Sequence, residues 1–193
     1  MGRNTPQHYM KGLCIVKKTL IVIDMQNDFI TGALGSKEAV AILPNVKKKI
    51  DEYIAAGHEV IFTRDTHGEN YMETREGKYL PVPHCSKGTE GWQVVAELDR
   101  EDCEHLDKPS FGFTGWSFAY DGARVLGMRR FEEIEIIGVC TDICVVSNAL
   151  ILKAYFPETN ITVDASCCAG VTPESHAAAL ATMKSCQINV IGE

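Results

Sequence analysis

The chain has 193 residues, of which 45% are hydrophobic and 23% charged, with 16 glycines and 7 prolines. That is enough for one α/β domain with a sizeable core. The net charge of −7 argues against a polyanionic partner such as nucleic acid, and no apolar run approaches the roughly 20 residues of a membrane-spanning helix.

The N-terminal stretch MGRNTPQHYMKGLCIVKK is polar and basic, without the apolar segment of a signal peptide. Residues 1–18 read as an extension, and a cytoplasmic location without membrane contact is the expectation. Eight cysteines would suggest a disulfide scaffold in a short secreted chain, but this one is longer and core-rich. They form no paired CxxC…CxxC zinc pattern, so reduced thiols are expected.

In chain order, Thr19–Asp24 (TLIVID) is a β-branched apolar run, predicted to be a strand buried on both faces. Asn45–Ala56 has helical periodicity through Val46, Ile50, Tyr53 and Ile54, closed by Gly57. Glu59–Thr63 is a second strand. The long polar stretch from Arg64 to Trp92 is of a length that in a compact domain is usually functional. Val94–Leu98 is predicted as a short helix, His105–Lys108 as the end of a third strand, and Asp121–Met128 as another helix.

Glu133–Val139 is a fourth strand, followed by a helical run over Asp142–Ala154 with Asp142 as its N-cap. Asn160–Asp164 is a fifth strand, Pro173–Ser185 a helix with proline at its start, and Ile188–Ile191 a sixth strand. Alternating strands and helices predict a three-layer α/β/α domain spanning the chain, with a mostly parallel six-stranded sheet.

In such sheets ligands bind beyond the carboxyl ends of the strands. Asp24 ends the first strand, the second leads into Asp65 and His67, Lys108 ends the third, and the fourth runs into Cys140 and Cys144. A Cys144 near a helix start, with Lys108 close by, is expected to favour thiolate. Asp24 would take the thiol proton and later activate water. The backbone N–H groups of Cys140 and Cys144 would receive an oxyanion. Each residue alone has a plainer reading: a small buried thiol, a turn or cap residue, a solvated lysine. Only their convergence on one edge raises a cysteine hydrolase beside these plainer readings.

Asp65 and His67 form a D-x-H pair, with His84 later in the same loop. One carboxylate and two imidazoles suit one divalent ion, Zn²⁺, Fe²⁺ or Mn²⁺; otherwise Asp65 caps a turn and the histidines lie on the surface. His8, His58, His105 and His176 are read as structural.

From about Thr19 onward these residues resemble the nicotinamidase/isochorismatase-like cysteine hydrolases. LIVIDMQNDF (Leu20–Phe29) is similar to the family's first-strand motif, whose first Asp maps onto Asp24. GVCTDICV (Gly138–Val145) is similar to the nucleophile motif, whose last Cys maps onto Cys144. Lys108 matches the third member of an Asp-Lys-Cys triad. The resemblance implies a cis peptide at Val139–Cys140.

TRDTH (Thr63–His67) and PHCSKGTEGW (Pro83–Trp92) resemble the metal-loop segments of the nicotinamidase branch, with Asp65, His67 and His84 on its ligand positions. The implied reaction is hydrolysis of a small carboxamide, nicotinamide first, to acid and ammonia. The implied cofactor is a divalent metal, Zn²⁺ above all, and the implied assembly a homo-oligomer, dimer or tetramer.

Phe29 and Trp116 fall where nicotinamidases place aromatics around the substrate ring, which suits a flat heterocycle. Pro81 stands where those enzymes commonly carry Trp, so a pocket wall is missing or supplied from elsewhere. Two alternatives follow: a metal-binding amidase for another small amide or ureido compound, and a non-catalytic binding protein on the same fold.

Overall fold

A computed structural model describes residues 18–116 and 131–193. The helix expected over Asp121–Met128 lies outside the described residues.

Six strands, β1 (Lys18–Ile23), β2 (Glu59–Asp65), β3 (Glu104–Lys108), β4 (Glu133–Val139), β5 (Asn160–Ala169) and β6 (Asn189–Ile191), form one sheet in the order β3-β2-β1-β4-β5-β6. Every pairing is parallel. Strand β1 lies inside the sheet, and Leu20, Ile21, Val22 and Ile23 are fully buried. Side chains alternate across a strand, so Ile21 and Ile23 join one core with Ile136, Leu152 and Leu180. Leu20 and Val22 join the other with Val46, Ile50 and Phe62. A run apolar at every position is what two covered faces require.

Helix α1 (Asn27–Ile30) is a single turn after β1, and α2 (Lys37–Ala55) covers one face of the sheet. Helix α2 starts eight residues before the expected Asn45. Ser36 Oγ accepts from Ala39 N at 3.0 Å, a side-chain N-cap, and Ile42, Val46, Ile50 and Tyr53 form the buried stripe. Pro44 is tolerated inside because it sits on the exposed side, as does Val40, whose carbonyl it cannot serve. Helices α4 (Val146–Tyr155) and α5 (Pro173–Ser185) pack on the opposite face through Ala149, Leu152, Leu180 and Met183.

Two expectations are corrected. Val94–Leu98 is not a helix: Val94 bridges to Gln26 and Val95 N bonds the Met25 carbonyl at 2.9 Å. Its backbone is committed to the end of β1. Strand β5 runs on to Ala169, five residues past Asp164, so Cys167 and Cys168 point into opposite cores. The long loop after β2 holds a 3₁₀ turn at Tyr71–Glu73 and a short helix α3 (Arg75–Tyr79), capped by Thr74 Oγ1 on Gly77 N at 3.0 Å. All the described cysteines are free thiols. Among the described residues no helix is long and apolar enough to cross a membrane.

Candidate active site and metal centre

Parallel register brings the carboxyl ends of β1 to β4 together. Ile23 pairs with Thr63 on one side and Gly138 on the other, and Asp65 pairs with Lys108. Asp24, Asp65, Lys108 and Cys140 therefore leave the sheet along one edge. Asp24 turns the chain out of β1 at φ 48°, a left-handed conformation that Asp tolerates better than most residues. Gly138 is required: at φ 116° an added Cβ would lie 2.1 Å from the Ile23 carbonyl oxygen. The Val139–Cys140 peptide is cis, as expected. It leads into a wide helical turn, Thr141–Val145, that presents Cys144 and continues as α4.

Lys108 is wholly buried at the centre of this group. Its Nζ lies 2.7 Å from Asp24 Oδ2, 3.4 Å from Asp65 Oδ1 and 3.5 Å from Cys144 Sγ. Thr63 Oγ1 donates to Asp24 Oδ1 at 2.7 Å. Lys108 and Asp24 Oδ2 thus form a buried ion pair.

Burial pushes the Asp24 carboxyl above the usual carboxylate range; Lys108 opposes this and the Asp65 charge adds to it. Burial alone would lower Lys108, but Asp24, Cys144 and Asp65 together hold it above its ordinary value. The Cys144 thiol is pushed well above its ordinary value, by burial first and then by the Asp24 charge, with Lys108 opposing. This corrects the expectation of a resting thiolate. At 5% exposure the desolvation of Cys144 outweighs its neighbouring cation.

The expected metal residues also meet. His67 N donates to the Cys85 carbonyl and Lys87 N to the His67 carbonyl, which brings the His84 segment beside the D-x-H pair. Asp65 Oδ2 stands 2.9 Å from His67 Nε2 and 3.4 Å from His84 Nε2. Glu76 of α3 adds a fourth donor, its Oε1 lying 3.6 Å from His67 Nε2 and 3.8 Å from His84 Nε2.

One ligand atom from each of the four residues falls within 4.8 Å of the others. Donors bound at about 2.0–2.2 Å to one ion stand roughly 3–3.5 Å apart, so the cluster has the right size. His84 Nδ1 lies 2.8 Å from the Val82 carbonyl oxygen. A proton there leaves the Nε2 lone pair facing the cluster, as ligating histidines are usually oriented. The donor set fits a divalent metal. Burial raises the Asp65 carboxyl, but His67, His84 and Lys108 outweigh it and hold Asp65 well below the carboxylate range.

Glu76, Gln26 and Asp28 were not singled out from sequence. Gln26, fully buried, receives Asp65 N at 2.7 Å and donates to the Asp65 and Trp92 carbonyls at 2.9 and 2.8 Å. Asp28 Oδ2 accepts from Cys85 N at 2.7 Å. Gln26 and Asp28 lie inside the LIVIDMQNDF segment but have no chemistry of their own in its pattern, and Glu76 is one of many polar residues in the loop after β2.

A cavity of about 940 Å³ opens over Cys144, lined also by Cys140, Asp65, Glu76, His84 and Phe29. Phe29 stands edge-on to His84, with ring centroids 5.6 Å apart. Trp116 does not line it. Its Nε1 donates to Asn148 Oδ1 at 2.9 Å and its ring packs on Phe113 and Phe131. Asn148 satisfies the indole in the core, so Trp116 takes the packing role. Pro81 is exposed and outside the cavity lining; Tyr79 and Leu80 stand there instead. Asp142 is not an N-cap: its Oδ1 accepts from Val171 N at 2.9 Å.

A family model for the isochorismatase domain matches residues 18–192, and the chain belongs to that family. Among its relatives is a nicotinamidase/pyrazinamidase of Mycobacterium tuberculosis, 27% identical over 188 residues, covering 90% of this chain and 98% of that protein. An uncharacterized isochorismatase family protein of Bacillus subtilis is 33% identical over 174 residues, covering 86% and 93%. Among solved structures, a pyrazinamidase of Pyrococcus horikoshii in complex with zinc is 32% identical. It superposes with a TM-score of 0.76 over 92% of this chain and 99% of that one.

Proposed function

We propose that this protein is a metal-assisted cysteine amidohydrolase acting on a small primary carboxamide, with nicotinamide as the leading substrate. The observation that carries the reading is one buried lysine contacting Asp24, Asp65 and Cys144 at 2.7, 3.4 and 3.5 Å. A buried charge is retained at a cost, and a binding protein has no need to surround it with a thiol and two carboxylates.

In this reading Asp24, paired with Lys108, takes the Cys144 proton as Sγ attacks the carboxamide carbon. Backbone N–H groups of Cys140 and Cys144 meet the developing oxyanion. The same proton passes from Asp24 to the nitrogen, and ammonia leaves a thioester. Asp24 then accepts a proton from water as its oxygen attacks the thioester, and the acid departs with the thiol restored. Lys108 keeps its charge throughout and offsets the negative charge that moves between Asp24 and Cys144. Asp65, His67, Glu76 and His84 would hold the ion, Zn²⁺ by preference, which supplies a Lewis acid to anchor the substrate ring.

The test is ammonia release from nicotinamide by the purified protein, beside Cys144→Ala and a chelator-treated sample. Release lost in both supports the reading. Release that survives Cys144→Ala excludes the thioester route. A second substrate within the same chemistry, another small amide or ureido compound, is favoured by Pro81 standing outside the cavity; it is met by metal binding with Cys144 intact and no nicotinamide turnover.

A further inference from the structure

The cavity over Cys144 has two dissimilar ends. The inner one holds Cys144, Asp65, Glu76, His84 and Phe29; the outer one is bounded by Tyr79, Leu80, Phe111 and Val171. These four are exposed at 77%, 37%, 45% and 58%. They are four of the nine large hydrophobic side chains exposed among the described residues. They also come from separate segments: α3 and its end, the loop after β3, and the loop after β5.

Single exposed hydrophobics need no explanation, but several gathered on one rim do. Tyr79 is also held in place: the Arg75 guanidinium sits 5.1 Å over its ring and Arg75 Nη2 lies 3.3 Å from its hydroxyl. About 940 Å³ is near the top of the roughly 300–1,000 Å³ range that encloses drug-sized ligands. A lone pyridine carboxamide seated between Phe29 and His84 would leave the outer end filled with water.

We propose that the amide hydrolysed here carries a second apolar portion, an aryl or branched alkyl group on the ring or chain bearing the carboxamide, which lies against Tyr79, Leu80, Phe111 and Val171. This rests on the amidohydrolase reading and names its substrate class. The bond broken is unchanged: the carboxamide C–N bond, with water consumed and ammonia released. The outer apolar surface contributes affinity by leaving water, and selects against amides too small to reach it.

The experiment measures kcat/KM for ammonia release by the zinc-loaded, full-length protein. The substrates are nicotinamide and nicotinamides bearing methyl, propyl or phenyl on a ring carbon remote from the carboxamide. The value is expected to rise by about tenfold or more from the bare ring to the phenyl derivative. In Leu80→Ala and Phe111→Ala, both surface substitutions, the ratio of the phenyl derivative to nicotinamide is expected to fall by about tenfold. A kcat/KM that is flat or declining with size, while nicotinamide is hydrolysed, overturns the substrate class and leaves the amidohydrolase reading standing. The rim then meets something other than substrate, such as a second copy of the chain. No ammonia from any of these amides, with metal bound and Cys144 intact, overturns both this substrate class and nicotinamide as the leading substrate, and moves the reading to another small amide or ureido compound.

Discussion

Thr141 and His176 meet at 2.8 Å through Thr141 Oγ1 and His176 Nδ1, joining the turn that presents Cys144 to the first turn of α5. A second tie runs beside it, from Val171 N to Asp142 Oδ1 at 2.9 Å. Helix α5 is itself anchored by a reciprocal cap between Thr172 and Ser175. Thr141 is fully buried, so its hydroxyl depends on this partner. The contact positions the Cys144 turn without touching substrate.

His176→Ala is expected to lower kcat by about tenfold, since small misplacements of a reacting group are costly. The stability loss should be only about 1 kcal/mol, the usual worth of one hydrogen bond. His176→Gln, which can still hydrogen-bond Thr141, should recover part of the rate. Steady-state kinetics beside thermal melts check this, and a variant that melts lower yet keeps the full kcat would reduce the contact to a structural one.

The raised Cys144 thiol makes a second expectation. Asp24 and burial both hold the proton on sulfur, against Lys108, so iodoacetamide should label Cys144 slowly at neutral pH. The rate should climb about tenfold per pH unit while the thiolate is the minor form. In Asp24→Asn the like charge is gone and Lys108 remains. Labelling should then accelerate while turnover falls by about 10²–10⁴, the usual worth of a general base. The variant also leaves a buried lysine with only Asp65 beside it, so it should melt lower. Mass spectrometry of the labelled peptide separates the outcomes; slower labelling in Asp24→Asn would show that Asp24 does not hold the thiol protonated.

What was legible in sequence depended on whether a signal was local. The strands were, because Leu20–Ile23 and Ile136–Val139 are apolar enough to mark burial whatever packs on them. Asp24, Lys108 and Cys144 were legible because parallel strands end on one edge, so position along the chain became position in space. The start of α2 was not: Pro44 reads as a boundary, and only the tertiary fact that its side of the helix faces water lets the helix pass through it. Ser166, Cys167 and Cys168 carry weak strand preference, and β5 extends through them because β4 provides partners up to Ala169.

Glu76 was hidden because α3 is too short to show periodicity, and its approach to His84 exists only when the loop is folded. The protonation of Cys144 was hidden for a related reason. A nearby cation can be guessed from spacing, but burial of the thiol is a property of the whole core.

Glu76 gives the third expectation. It is less buried than the other three donors and sits on a short loop helix, so its removal should weaken metal binding without unfolding the sheet. Glu76→Gln should lower zinc affinity by about 10–100-fold in competition with a chromogenic chelator, the range seen when groups around a metal are altered. Asp65→Asn should lower it further, because Asp65 contacts both histidines. Affinity unchanged in Glu76→Gln would leave a three-residue site of Asp65, His67 and His84.

The fourth expectation concerns acid stability and lies away from the site. Lys49 of α2 reaches Glu135 Oε1 at 2.7 Å and Asp164 Oδ2 at 2.9 Å, pinning the helix to β4 and β5. Burial raises the Asp164 carboxyl, but its bonds from Ser166 and Lys49 outweigh burial and hold it below the usual carboxylate range. A carboxyl with a depressed folded value contributes its full stability above its unfolded value, about 3.9. That contribution is lost as pH falls through the lower folded value, because the unfolded chain binds the proton first.

Asp164→Asn is therefore expected to cost about 1–2 kcal/mol at neutral pH, in line with hydrogen bonds to a charged group. Lys49 stays paired with Glu135, so no stranded charge inflates the figure. The gap in stability between the parent and Asp164→Asn should be flat from neutral pH down to about pH 5 and close below about pH 4. Denaturant melts across that range measure it directly, and because every other carboxyl is common to both proteins, the difference isolates Asp164. A gap of constant size through the acid range would show that the ion pair does not contribute through its charge.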